Sequence, residues 1–323
     1  MSINHPSAPN VAVLMATYNG EKFLAEQIES ILGQASVNVY LYIRDDHSSD
    51  GTIELIRDLQ KNNKQIFLLD AMPDQLKVTK NFYSILCDID LSAMDYMAWA
   101  DQDDVWMKNK LSEAVHTMDH TGTDCYASNL LLGDEKGNII AGGQFYSKLI
   151  SYILNNKTNH QTLYDHYLEA ASAGCTLVLN KHAALYFQKR VRQIYHEIPT
   201  DASHDWSTYA ITRLGMFTWY IDKRSFIIYR QHGQNAYGTN SGMKGAAKLL
   251  DLFRSGWYRK HILMVDELYN EGDTHPSFIE VIRNYQYTSF LSRLKVGFAL
   301  ARYRRKYFHK ILLFGLIVFG QFK

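Results

Sequence analysis

Short apolar runs alternate with helix-periodic stretches through the first 120 residues. Runs with the apolar or β-forming character of buried strands occur at 11–16, 39–44, 65–70 and 96–100. Stretches typical of helices follow them at 21–34, 53–60, 80–89 and 108–120. In the first of these, Leu24, Ile28 and Ile31 share one helical face. Strict alternation of strand and helix predicts an α/β fold, with a mostly parallel, Rossmann-like sheet covered by helices on both faces.

The pattern is less regular in the second half of the chain. Strands are predicted over 124–132, 175–180 and 217–221, and a helix begins near His204. The Gly/Asn-rich stretch 238–245 precedes a change to basic and aromatic sequence. We therefore predict an α/β domain over 1–240 and a helical C-terminal region over 241–323.

Three polar clusters directly follow predicted strands. TYNG (17–20) follows the first strand, DDHSSD (45–50) the second and DQDD (101–104) the fourth. Parallel strands place their carboxyl ends at one edge of the sheet, where ligands bind in open α/β folds. The three clusters are therefore expected to converge on one rim.

The DQDD cluster is a candidate metal site. Asp101, Asp103 and Asp104 repel one another, and a bound Mg²⁺ or Mn²⁺ would relieve that repulsion. The alternative is a solvated loop in which Asp104 caps the next helix. At the end of the second strand, Asp45 and Asp46 offer carboxylates that could accept hydrogen bonds from a base or a ribose. The alternative is that Ser48, Ser49 or Asp50 of this cluster only caps the next helix.

Composition narrows the class of protein. The 34 basic and 33 acidic residues balance, so no global field favours nucleic acid. Three widely spaced cysteines fit neither a disulfide framework nor a zinc site, and the polar N-terminus lacks a signal-peptide pattern, so we expect a cytoplasmic protein. The first strand–helix turn, ATYNGEKF, has neither GxGxxG nor GxxxxGK[ST], which argues against dinucleotide redox and P-loop chemistry.

Six segments, taken in order, resemble glycosyltransferase family 2, most closely its bacterial rhamnosyltransferases. They are ATYNGEKFLAEQIESIL, RDDHSSDGT, ADQDDVWMKNKL, AGCTLVLN, HDW and YRQHGQN. The resemblance covers about 11–238. It implies a GT-A fold, Mn²⁺ or Mg²⁺, and inverting transfer, with dTDP-L-rhamnose as donor and a saccharide or lipid-linked saccharide of the cell surface as acceptor. A UDP-sugar enzyme and a non-catalytic carbohydrate-binding or scaffold protein remain the alternatives.

The resemblance also implies roles for single residues. Those matching nucleotide-sugar contacts are Thr17, Tyr18, Asn19, Asp45, Asp46, Lys80, Asn81, Asp101, Gly174 and Cys175. Those matching metal contacts are Asp101, Asp103 and His232. Asp205 matches the catalytic base, and the adjacent His204 and Trp206 would contact the acceptor. The chain departs from the family where QLKVTKNF lacks a glycine before Lys80, and where HDW replaces the commoner ED.

The C-terminal stretch 295–323 combines basic, aromatic and apolar residues. Its basic side chains are Arg302, Arg304, Arg305, Lys306 and Lys310, and the apolar run 311–320 follows. That run is too short to span a bilayer, which takes about 20 residues. We expect peripheral contact with the inner face of the cell membrane, with packing on the α/β domain or on a second copy in a homodimer as alternatives.

Overall fold

The computed structural model describes residues 8–140, 160–232, 251–272, 275–285, 289–305 and 307–320. Within these ranges the strands are β1 (Asn10–Thr17), β2 (Asn38–Asp45), β3 (Ile66–Leu68), β4 (Tyr96–Ala100), β5 (Val105–Trp106), β6 (Cys125–Gly133), β7 (Val178–Asn180) and β8 (Trp219–Arg230). The helices are α1 (Glu21–Leu32), α2 (Thr52–Asn62), α3 (Val78–Asp88), α4 (Lys110–Thr121), α5 (Lys181–Ile194), α6 (His204–Leu214), α7 (Trp257–Met264), α8 (Ile279–Arg283), α9 (Phe290–Tyr303) and α10 (Tyr307–Val318).

The described strands form one sheet in the order β3-β2-β1-β4-β7-β6-β8-β5. The first four are mutually parallel, as predicted, and Thr17 pairs with Asp45 so that the tips of β1 and β2 lie level. Antiparallel pairs complete this mixed sheet, since β7 is antiparallel to both β4 and β6, and β5 is antiparallel to β8. The turn 174–176 lies at the carboxyl rim, so β7 starts there and must run back across the sheet.

Both faces of β1 are buried, which explains its continuous apolar run. Val13 packs with Ile28 of α1 on one face, whereas Leu14 packs with Phe82 of α3 on the other. All four side chains are at most 1% exposed. A strand buried on both faces needs apolar residues at every position, and such a strand belongs at the centre of a layered α/β sheet.

The C-terminal helices pack into the same core cluster as α3 and α6. Phe253, Ile262 and Leu300 belong to that cluster and are at most 1% exposed. The side chains of Arg304 and Arg305 are also buried, and each forms an ion pair with Glu169 at 3.3 Å. These two arginines therefore make contacts within the protein and do not face lipid.

The predicted domain boundary near residue 240 falls outside the described residues. Among the helices of the described residues, none is long and apolar enough to cross a bilayer.

Candidate active site

A cavity of about 640 Å³ opens at the carboxyl rim of the parallel strands. All three strand-end clusters reach it: Thr17 and Tyr18 after β1, Asp46 after β2, and Asp101 and Asp103 after β4. The second half of the chain completes its wall with residues 173–174, 203–205, 229, 252 and 257. The predicted convergence of the polar loops is therefore present in the structure.

Backbone contacts hold the first and third loops together. The Tyr18 N–H donates to Gln102 Oε1 at 2.9 Å, and Gln102 Nε2 donates to the Tyr18 carbonyl at 3.0 Å. A Cβ at Gly20 would lie 2.4 Å from Gln102 Oε1, so glycine leaves the room that this amide needs. The amide of Gln102 thereby fixes the approach of the DQDD loop to β1.

Side chains from α1 and β8 hold the backbone of the DQDD loop. Gln27 Nε2 donates to the Asp101 carbonyl at 2.8 Å, and Arg230 Nε donates to the Asp103 carbonyl at 2.9 Å. Asp103 Oδ2 in turn lies 2.8 Å from His232 Nε2. The loop backbone is thus fixed by side chains outside the loop, and the carboxylate of Asp103 contacts His232, the histidine predicted to lie near the metal.

Like charges crowd the cavity floor. Burial raises the pKa of Asp101 to about 7, with further increases from the charges of Asp103 and Asp205. Asp101, Asp104 and Cys175 place potential ligand atoms within 4.8 Å of one another, but Asp104 and Cys175 are fully buried. Burial also raises the pKa of the Cys175 thiol well above its usual value, which keeps it protonated. The donors that suit a hard cation are therefore the carboxylates of Asp101 and Asp103.

Asp205 lies in the first turn of α6 and lines the cavity. Its Oδ1 accepts hydrogen bonds from the Ser203 hydroxyl and from the Trp206 N–H, the latter at 2.7 Å. Within the described part of the chain, Oδ2 has no hydrogen-bond partner. Through this oxygen Asp205 can accept a proton from a group in the cavity.

Comparison with known proteins identifies the family. The profile of glycosyl transferase family 2 matches residues 12–171. The chain is 30% identical to the dTDP-rhamnosyl transferase RfbG of Shigella flexneri over 311 residues, which cover 95% of this chain and 100% of the relative. The chain belongs to glycosyltransferase family 2.

Two solved structures share the fold of this family 2 glycosyltransferase. TarS 1–349 of S. aureus has a TM-score of 0.53 at 11% identity, covering 97% of this chain and 89% of that one. The mannosyltransferase PcManGT from Pyrobaculum calidifontis, in complex with GDP-Man and Mn²⁺, has a TM-score of 0.52 at 12% identity, covering 98% and 75%. At these identities the likeness establishes the fold alone, and the predicted GT-A fold is confirmed.

Five residues predicted for the substrate site of the glycosyltransferase do not line the cavity. The Asn19 and Asp45 side chains accept hydrogen bonds from backbone N–H groups of the turn that follows β2. The Lys80 ammonium points away and donates to the carbonyl of Tyr195. Cys175 is buried behind the carboxylates, and Trp206 is buried, with its indole N–H donating to a backbone carbonyl at 2.7 Å. These five side chains make contacts within the protein and are not among those that line the cavity.

Nine predicted positions do line the cavity. They are Thr17, Tyr18, Asp46, Asn81, Asp101, Asp103, Gly174, His204 and Asp205. His232 is not one of the lining residues, but its Nε2 lies 2.8 Å from Asp103 Oδ2. The wall residues that were not predicted include Gln75, Tyr229 and Trp257. Tyr229 begins the YRQHGQN segment and could have been found from that motif. Gln75 and Trp257 carry no local signal, because tertiary packing alone brings them to the wall.

Proposed function

We propose that this glycosyltransferase is a metal-dependent, inverting rhamnosyltransferase that takes L-rhamnose from dTDP-L-rhamnose in cell-surface polysaccharide synthesis. The full-length similarity to a dTDP-rhamnosyl transferase supports the donor. The observation that carries the chemistry is the position of Asp205, which lines the same cavity as Asp101 and Asp103.

The nucleotide side of the cavity is formed by the loops after β1 and β2. Asp46 accepts hydrogen bonds from the backbone N–H groups of Leu76 and Lys77 at 2.7 and 2.8 Å, which fixes the segment before α3. Asn81 donates to the Arg44 carbonyl at 2.9 Å, while its buried Oδ1 has no partner among the described residues. A buried amide oxygen without a partner is costly, and a donor group of the nucleotide sugar would satisfy it.

Asp101, Asp103 and His232 are the residues that would hold a divalent cation. When bound, such a cation supplies positive charge where the departing nucleoside diphosphate gains negative charge. Burial, and then the neighbouring charges of Asp103 and Asp205, raise the Asp101 pKa. This supports the assignment, because a bound cation would favour the ionised carboxylates against both effects. The Mn²⁺ in the PcManGT complex is consistent with the same chemistry in this fold.

Asp205 acts as general base in a single displacement. Its open oxygen takes the proton of an acceptor hydroxyl as that oxygen bonds to the anomeric carbon, while the bond from that carbon to the diphosphate oxygen breaks and the electron pair leaves with the nucleotide. Attack opposite the leaving group inverts the anomeric centre. Ser203 and the Trp206 N–H hold the other oxygen and so fix the direction of the carboxylate.

We also propose that one face of α9 contacts an anionic membrane surface. Leu291, Lys295, Phe298 and Arg302 follow helical spacing and are all exposed, with Leu291 64% and Phe298 66% accessible. A face that mixes apolar and cationic residues suits the bilayer interface. This location would bring the enzyme to a lipid-linked acceptor at the inner face of the cell membrane.

Vesicle binding tests the membrane contact. The native chain should co-sediment with vesicles containing phosphatidylglycerol, and the Leu291→Ser/Phe298→Ser variant should not. Met216→Ser, at another site that is 87% exposed, is the matched control. Equal binding of both variants would contradict the proposal. A loss of self-association in Leu291→Ser/Phe298→Ser, with no vesicle binding by the native chain, would instead assign the face to a homodimer.

Nucleotide release tests the enzymatic proposal. The protein is incubated with Mn²⁺ and either dTDP-rhamnose or a panel of UDP-sugars, and the released nucleotide is measured with and without EDTA. We expect release from dTDP-rhamnose that EDTA abolishes. Faster release from a UDP-sugar would establish the alternative donor. No release from any donor, together with tight sugar binding, would favour a carbohydrate-binding or scaffold protein.

A further inference from the structure

We infer that Trp257 is the platform on which the acceptor sugar rests, a specificity element supplied by the C-terminal region. The inference rests on the proposed transferase function and assigns its second substrate site. Trp257 begins α7 and lines the cavity that also contains Asp205. This replaces Trp206, the tryptophan for which the sequence predicted acceptor contact.

Three contacts hold the indole of Trp257 in place. Its ring centroid lies 3.7 Å from that of His261 and 5.9 Å from that of Trp206. Its Nε1 donates to the Asp201 carbonyl at 3.3 Å. Gly256 has φ of +79°, so the chain makes a sharp left-handed turn before the helix starts at this residue. These contacts fix the ring plane in the absence of a substrate.

The segment that carries Trp257 is anchored in the core. Phe253 stacks on Tyr258 at a centroid distance of 4.3 Å, and Tyr258 packs against Trp206 at 5.3 Å. Trp206 follows the proposed base directly in α6. The platform and the base are therefore connected through packed aromatic rings, so their relative position is set by the fold.

The chemistry of this wall suits a sugar ring. Trp257 is only half-buried, and Leu252 beside it also lines the cavity. The apolar C–H face of a pyranose can pack on an indole while its hydroxyl groups point to polar atoms. The nucleotide-facing loops lie on the first half of the chain, so the wall at 252–257 is left for the acceptor. A ring that is already ordered binds with little loss of side-chain entropy.

The test compares Trp257→Phe with Trp257→Leu, which keep an aromatic face and an apolar volume respectively. The probes are octyl glycosides of glucose, N-acetylglucosamine, galactose and rhamnose, assayed by how far they accelerate dTDP release from dTDP-rhamnose in Mn²⁺. We expect Trp257→Leu to raise the KM for the active glycoside at least tenfold and Trp257→Phe to raise it less than threefold. Calorimetric binding of dTDP with Mn²⁺ should change less than twofold in both.

Three results would overturn the platform. One is an unchanged glycoside KM in Trp257→Leu, and another is a parallel loss of dTDP affinity, which would indicate a structural or donor-site role. The third is failure of every glycoside to accelerate release by the native chain, since a platform for one ring must bind one. If the native chain releases no dTDP either with or without a glycoside, the proposed transferase function has failed instead.

Discussion

Replacing Gly174 by alanine should disturb the proposed base through His204. A Cβ at position 174 would lie 2.0 Å from His204 Nε2 and under 3 Å from two ring carbons. The ring must retreat by more than about 1 Å to reach ordinary contact distance, yet Phe82 lies behind it at a centroid distance of 4.5 Å. Overpacking of this kind costs about 1–3 kcal/mol in the free energy of unfolding. Displacement of the adjacent Asp205 by about 1 Å should lower kcat by about 100-fold.

A double-mutant cycle checks this explanation. Urea unfolding and the kcat of Mn²⁺-dependent dTDP release are measured for Gly174→Ala, His204→Ala and the double variant. Removing the imidazole should reduce the cost of Gly174→Ala to below about 0.5 kcal/mol, a coupling typical of residues in contact. Gly315→Ala, at a helical position with open space around it, is the control that should not destabilise. If Gly174→Ala lowers the unfolding free energy equally with and without the His204 side chain, the clash with the imidazole is not its cause.

Three further substitutions test separate parts of the structure. Asp103→Asn should weaken Mn²⁺-dependent dTDP binding at least about tenfold by calorimetry, with little effect in EDTA; equal affinities would exclude Asp103 from metal binding. Burial lowers the pKa of His166 to about 3 in the folded protein. As the pH falls below 6.5, this histidine gains a proton in the unfolded chain before it does so in the folded one, and the folded state therefore loses stability. Between pH 7 and pH 5 the unfolding free energy of His166→Phe should therefore decrease by about 2 kcal/mol less than that of the native chain. Equal decreases in the two proteins would contradict this. Arg305→Met leaves Asp165 and Glu169 buried without this partner and should cost about 3–5 kcal/mol, whereas a cost below about 1 kcal/mol would show the pairing to be unimportant.

The parallel half of the fold could be predicted because its signals are local. Strands β1 and β4 are nearly continuous buried runs, β2 is rich in β-forming residues, and each of the three ends in a polar cluster at the observed strand tip. Strand β8 runs nine residues beyond its predicted end at residue 221, because polar residues interrupt its apolar pattern. Among them Asp222 is buried and accepts a hydrogen bond from the Tyr126 hydroxyl at 3.0 Å, a contact that no local pattern indicates. We did not predict α5 either, although Phe187, Val191 and Ile194 share one of its faces.

The candidate site could be predicted in its location but only in part in its composition. The convergence of loops follows from parallel topology, whereas the direction of each side chain depends on its neighbours. Asp45 and Asp46 are adjacent, yet only Asp46 lines the cavity, because Asp45 accepts hydrogen bonds from Thr17 and from its own turn. Trp206 was expected at the acceptor site, but packing against the C-terminal helices buries it, and Trp257, for which nothing was predicted, lines the cavity.

The central claim is that Asp205 takes a proton in a cavity whose strand-tip carboxylates hold the donor. The most direct test is the kcat for dTDP release from dTDP-rhamnose in Mn²⁺ by Asp205→Asn, which keeps the side-chain size and removes the base. We expect kcat to fall by about 100- to 10,000-fold while dTDP binds with native affinity. A kcat within a few-fold of the native value would show that another group takes the proton and that Asp205 is not the base.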